Sequence, residues 1–183
     1  IGVVAWMTPD PEVSKLHEDT QAQPSRMGEV LRDRQLLNLD FGIFALHAAQ
    51  MALFTALPFA MTQLGLEKIH HWKVYLPSTI TGLVIMIPLI IIGETRNKLK
   101  QVFILGIACI AAAQIGLLFG MHSIWLITAY LVVYFIGFNV LEASLPSMVS
   151  KIAPSDLKGT AMGVYNTMQS VGLFVGGASG GWL

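Results

Sequence analysis

A carboxyl group set deep in an apolar helix is suited to loading and releasing a proton where water is scarce. Glu142 is the one acidic side chain far inside a long apolar run, IWLITAYLVVYFIGFNVLEASLPSMVS, and lies nine residues, about 13 Å of helical rise, from Lys151 at its inner end. An ionised carboxyl at mid-bilayer costs about 2.5–3.5 kcal/mol even on the mildest insertion scale, so Glu142 is expected to face a cavity, meet a partner or carry a proton. Pro146, four residues on, has no N–H for the Glu142 carbonyl, which predicts a kink and a spare acceptor beside the carboxyl. A candidate partner is His47, seven residues and about 10 Å beyond Asp40, at a similar depth. The competing readings are structural: a glutamate capped by donors of a neighbouring helix, and a histidine that only packs.

Other groupings point to chemistry less sharply. In GLFVGGASGGWL, residues 172–183, Ser179 could be the nucleophile of an intramembrane protease, or the glycines could be a smooth stripe on which another helix lies. Gly172, Gly176 and Gly180 are spaced four apart and Gly177 and Gly181 form a neighbouring row, so helix packing accounts for every glycine. A serine nucleophile also needs a histidine base within reach, yet His122 falls in a turn and His47 at the inner side, while Ser179 falls near the outer end. Glu67, His70 and His71 in LEKIHHWK share one short loop without a cysteine, for which an ordinary solvated turn is the expected reading. The lone Cys109 permits no intramolecular disulfide, and there is no phosphate-binding glycine loop. The expectation is a protein that does no covalent chemistry, with no cofactor, no metal and no nucleic acid partner.

Such side chains need helices in lipid to position them. The chain is 54% hydrophobic and 12% charged, against roughly 25% charged for a soluble domain. Its apolar residues fall in blocks at 41–64, 74–93, 101–120, 124–149 and 160–183, each near the roughly 20 residues that cross a hydrocarbon core. Five spans are therefore predicted, apolar all round, with their backbones satisfied internally. IGVVAW, residues 1–6, is expected to be the tail of a preceding span, and the chain a piece of a larger, transporter-sized protein. Residues 7–39 are the long polar segment, a linker broken by Pro9, Pro11 and Pro24. Met27, Val30, Leu31 and Leu37 then recur at helical spacing opposite Arg32 and Asp33, which predicts a short amphipathic helix on the membrane face or the solvated start of the next span.

With residues 7–39 inside, nine of the eleven lysines and arginines fall on the inner side, leaving only Lys68 and Lys73 outside. Trp72, Tyr75 and Trp125 fall near the outer ends, where amphipathic rings sit at headgroup level. Gln50 and Phe54 share a helical face with His47; Tyr134, Phe138 and Glu142 recur every four residues, with Asn139 adjacent. A cavity lined by these aromatics and amides suits amphipathic organic compounds, the alternative being rings that pack or face lipid. In the inner turn, Glu94, Arg96, Lys98 and Lys100 are expected either to form a charge cluster that latches an inner gate or simply to anchor the span.

In this layout the residues resemble the major facilitator superfamily, whose members have two six-helix halves joined by a long cytoplasmic loop. GETRNKLK, residues 93–100, occupies the place of the family's glycine-acid-basic turn between helices eight and nine, with Asn97 where an aspartate and Lys100 where a glycine would stand. NVLEASLPSMVSKIAP, residues 139–154, and KGTAMGVYNTMQSVGLFVGGASGG, residues 158–181, are similar to a YajR-like branch of proton-driven exporters. The resemblance implies an all-α, multi-pass transmembrane bundle, the second half of such a fold: 1–6 ending helix six, 7–39 the cytoplasmic inter-half loop, and 40–183 helices seven to eleven. It implies an inner-membrane protein whose partners are the lipid bilayer, protons, a small-molecule substrate and an N-terminal six-helix half, working by alternating access. Helices seven and ten line the central cavity of that fold, which would join His47 and Glu142 as a proton-linked pair, Glu142 carrying the proton and His47 modulating it. The glycine face would then rock against the absent half. Alternatives are a sugar or metabolite facilitator, a rhomboid-like protease acting through Ser179, and a membrane scaffold associating through its glycines.

Overall fold

Short polar signals between the apolar blocks decide where each helix begins and ends. The computed structural model describes residues 23–182, all helices and connecting turns; the expected tail at 1–6 and the linker up to residue 22 lie outside the described residues. The helices are α1 (Met27–Val30), α2 (Arg34–Gln63), α3 (Trp72–Thr95), α4 (Leu99–Gly120), α5 (Ile124–Ile152) and α6 (Lys158–Trp182), with 3-10 turns at Pro24–Arg26, Lys68–His70 and Ser155–Leu157.

Asp33 starts α2: its carboxylate accepts from the backbone N–H groups of Gln35 (2.8 Å) and Leu36 (3.2 Å), two of the donors a helix start leaves unpaired. This cap changes the reading of the preceding segment. Helical spacing does not run from Met27 through Leu37; α1 is a single turn, and Leu36, not Leu37, is buried with Val30 in the core. Gly65 (φ +85°) ends α2 and Asn97 (φ +56°) ends α3, both in the left-handed region that glycine, and next to it asparagine, adopts most readily. Asn97 thus fills a conformational role in the turn where an aspartate was expected.

Four of the helices, α2 to α5, are long and apolar enough to cross a membrane. Helix α6 has the length, 25 residues, but glycines, amides and hydroxyls such as Asn166, Gln169 and Ser170 keep it less apolar. Large apolar side chains point outward all round the bundle, among them Phe59, Ile80, Ile104 and Phe119. Trp125, 85% exposed, and Trp72 also face outward. Tyr75 does not: it turns inward, its ring edge-on to Phe54 with centroids 5.5 Å apart.

Helix α5 is the most enclosed of the four apolar helices and packs on α2, α3, α4 and α6. Helices α2 and α6 form the closest pair. A Cβ on Gly172 would collide with the backbone of Phe44, one on Gly176 with that of Ala48, and one on Gly180 with that of Ala52. Both sequences advance by four from contact to contact, so the two helices run parallel with their backbones touching. This corrects the expectation that the glycine stripe meets an absent half: α2 already occupies it. Gly177 meets only the Met51 methyl at 3.8 Å, and Gly181 has open space around its Cα.

Candidate functional site

The α2–α6 contact and the buried face of α5 converge on His47. The ring is 4% exposed and lies about 20 Å of helical rise from the start of α2 at Arg34. Its Nδ1 is 3.2 Å from the carbonyl of Ile43, one turn back. A carbonyl only accepts, so Nδ1 carries the hydrogen. Nε2 then presents a lone pair, which accepts from the side-chain amide nitrogen of Gln169 on α6 at 2.8 Å. On the other side of Nε2 stands Glu142 of α5, its Oε2 at 3.6 Å, an ion-pair distance too long for a hydrogen bond. The His47 ring also lies edge-on to Phe138, with centroids 5.7 Å apart.

The imidazole is therefore gripped at both ring nitrogens, while a carboxyl stands one step away. Glu142 Oε2 is buried with no hydrogen-bond partner among the described residues, whereas the side chain as a whole is 38% exposed. One oxygen is sealed against His47 and the group still opens to the surroundings. A proton arriving on Nε2 would make both ring nitrogens donors, and the amide would then have to offer its oxygen while Glu142 supplied the nearest acceptor. Helix α5 continues through Pro146, so the Glu142 carbonyl lacks its usual i+4 donor at this level.

Beside this triad lies a cavity of about 540 Å³ lined by Gln50, Phe54, Pro58, Tyr75, Thr79, Phe135, Phe138 and Asn139. Four of the five residues predicted for a substrate cavity, Gln50, Phe54, Phe138 and Asn139, line it. Tyr134 does not: it is 0% exposed, stacked behind Phe138 with centroids 6.0 Å apart. Tyr75 and Phe135 stand in the wall instead, because α3 and α5 turn them toward Phe54. Among the described residues the hydroxyl of Tyr75 and the amide nitrogen of Asn139 are buried without hydrogen-bond partners, two donors of this wall left unused there. Phe138 belongs to both regions, touching His47 and lining the cavity.

The remaining candidates are not gathered into the site. Ser179 donates to the Gly176 carbonyl at 3.2 Å, as an ordinary helical serine does. His71 closes the α2–α3 loop by donating from Nε2 to the Leu66 carbonyl at 3.1 Å, while Glu67 is exposed. Glu94, Arg96, Lys98 and Lys100 are all exposed, and no ion pair among the described residues joins them. Sequence reasoning missed Gln169, whose glycine-rich surroundings were read for packing alone; its spacing of four after Tyr165 and three before Gly172 was the available signal.

A family model described as Major Facilitator Superfamily matches residues 1–177. The chain is 37% identical over 183 residues, its whole length, to the Inner membrane transport protein YajR of Escherichia coli (strain K12), covering 40% of that protein. It is 30% identical over 135 residues to the Uncharacterized transporter BU466 of Buchnera aphidicola subsp. Acyrthosiphon pisum (strain APS), covering 74% of this chain and 35% of that one. An Uncharacterized transporter of Buchnera aphidicola subsp. Baizongia pistaciae (strain Bp) is 28% identical over 171 residues, covering 42% of its length. The chain thus spans less than half the length of each of these curated relatives.

Proposed function

The chain belongs to the major facilitator superfamily, and from that premise we propose that it forms the C-terminal half of a proton-coupled exporter of small amphipathic organic compounds. Membership makes it a transporter and not an enzyme, which sets aside the Ser179 nucleophile. In this reading the protein sits in the inner membrane with residues 7–39 on the cytoplasmic side, and an N-terminal six-helix half supplies the other wall of the cavity. Glu142 is the proton carrier. His47 modulates it, gripped by Gln169 and able to take the proton on Nε2.

The observation that carries the reading is the 3.6 Å approach of Glu142 to His47 across α5 and α2, with Phe138 shared between that pair and the cavity. A substrate pressing on Phe138 would press on the ring that flanks His47, so occupancy and protonation are coupled through one side chain. The lining offers aromatic faces and unused donors but no charged group, which favours uncharged aromatic compounds bearing an acceptor oxygen.

The test is flux through the complete transporter in proteoliposomes under imposed pH gradients, with a panel of lipophilic and sugar-like compounds. The expected outcome is proton-driven export of lipophilic compounds, lost in Glu142→Gln while substrate counterflow persists. Uphill transport by Glu142→Gln with unchanged pH dependence refutes the role given to Glu142, and flux indifferent to the gradient identifies a facilitator.

A further inference from the structure

Seven residues before His47, and roughly 20° from it around the same helix, a second acid is sealed inside the bundle. Asp40 is 2% exposed, and its Oδ2 has no hydrogen-bond partner among the described residues. It belongs to neither of the ion pairs found there, Arg26 with Glu29 and Arg26 with Asp156, and has no part in the approach of Glu142 to His47. Its burial comes from this chain's own helices, so an added half can only deepen it. It is too far into α2 to cap the start, a task Asp33 already performs. A lone carboxylate without donor or cation is among the costliest groups to enclose, whereas the neutral acid is tolerated.

The titratable groups on the helices around this acid stand at two levels. From α6 comes Tyr165, also 2% exposed, its hydroxyl without a hydrogen-bond partner among the described residues. From α5 comes Glu142, and along α2 itself His47. Measured along their helices from the basic end that carries Arg34, Ile152 and Lys158, Asp40 lies about 9 Å in, Tyr165 about 10 Å, Glu142 about 15 Å and His47 about 20 Å. Asp40 and Tyr165 thus share a level below the Glu142–His47 pair.

We propose that Asp40 is a second proton-binding site, loaded inside the bundle and emptied at its basic end. Asp40 then releases the proton when the inner helix ends part and water reaches it. The proposal rests on the proton-carrier reading of Glu142, and it adds a station that no substrate touches.

The experiment is pH-difference infrared spectroscopy of the complete transporter, which reads the carbonyl stretch of protonated carboxyl groups, paired with counterflow and gradient-driven flux. Asp40→Asn should lose one acid band and gradient-driven accumulation while keeping counterflow; Glu142→Gln should lose a different band and keep that of Asp40. Asp40→Glu, which restores a carboxyl, should recover both band and accumulation. The same band set in Asp40→Asn as in the unaltered protein, or accumulation intact in Asp40→Asn, overturns the proposal. Should Asp40→Asn fail to fold, Asp40→Glu decides: a band shift with retained coupling supports a titrating site, and an unshifted spectrum excludes one. Intact coupling in Glu142→Gln alongside lost coupling in Asp40→Asn would instead fault the role of Glu142 and leave Asp40 as the carrier.

Discussion

Single groups on three helices hold the imidazole in place. Gln169 supplies the hydrogen bond to His47 Nε2, the Ile43 backbone carbonyl the acceptor for Nδ1, and Glu142 the nearby carboxyl. Removing the amide leaves a buried ring nitrogen unpaired, so Gln169→Leu is expected to destabilise the folded bundle by about 1–3 kcal/mol, read as a lower denaturation midpoint in detergent, while Gln169→Asn, too short to reach, should fall between. Much of this site could be read from residue types and depth alone. Glu142 stands out because it is a lone acid in an apolar run, and counting rise from Asp40 for His47 and from Lys151 for Glu142 places the two near one level. Gln169 and Asp40 were not legible in the same way. An amide among glycines carries no sign that it reaches a neighbouring helix, and Asp40 passed for the edge of a span because nothing in the residue count says that Asp33 begins the helix earlier.

At the scale of elements, the α2–α6 contact tests the role of the small residues most directly. Gly176 lies against the Ala48 backbone, whereas Gly181 has nothing within 4 Å of the place a methyl would occupy. Gly176→Ala must push the two helices apart, and such overpacking costs about 1–3 kcal/mol. Gly181→Ala should be neutral or stabilising by up to about 1 kcal/mol through helix propensity. Thermal unfolding of both variants in the same detergent checks the pair; equal midpoints would show that the glycines do not set the helix spacing. The spacing of four announced a packing stripe without naming its partner, because periodicity fixes which residues share a face and not what that face meets. For the same reason Tyr134, expected in the cavity wall, is buried behind it, and Tyr75, expected at headgroup level, lines it: residue spacing does not fix how α5 and α3 are rotated within the bundle.

Across the whole molecule, the segment ahead of the bundle is pinned to the α5–α6 turn. The Gln23 backbone N–H donates to Thr160 Oγ1 at 2.8 Å, the Gln23 amide donates to the Asp156 carbonyl at 3.2 Å, and Arg26 pairs with both Asp156 and Glu29. The Arg26 hydrogen bonds hold the carboxyls of Glu29 and Asp156 below their ordinary range and raise the guanidinium further. Depressed acids stabilise the attachment above their free values and lose that contribution as pH falls through the lowered ones, so the clasp should be intact at neutral pH and open in acid, once pH has dropped through those lowered values. Spin labels at Gln23→Cys and Ser155→Cys should report that separation, and high salt should loosen it at neutral pH because the pairs are exposed. Asp156→Asn should open it without acid. Further in, the backbone-tight union of α2 and α6 means that the imidazole and its amide ride on one stiff plank, while the carboxyl of Glu142 rides on a separate beam with a missing rung at Pro146. A working stroke that flexes the beam alters what the imidazole looks at without loosening what grips it.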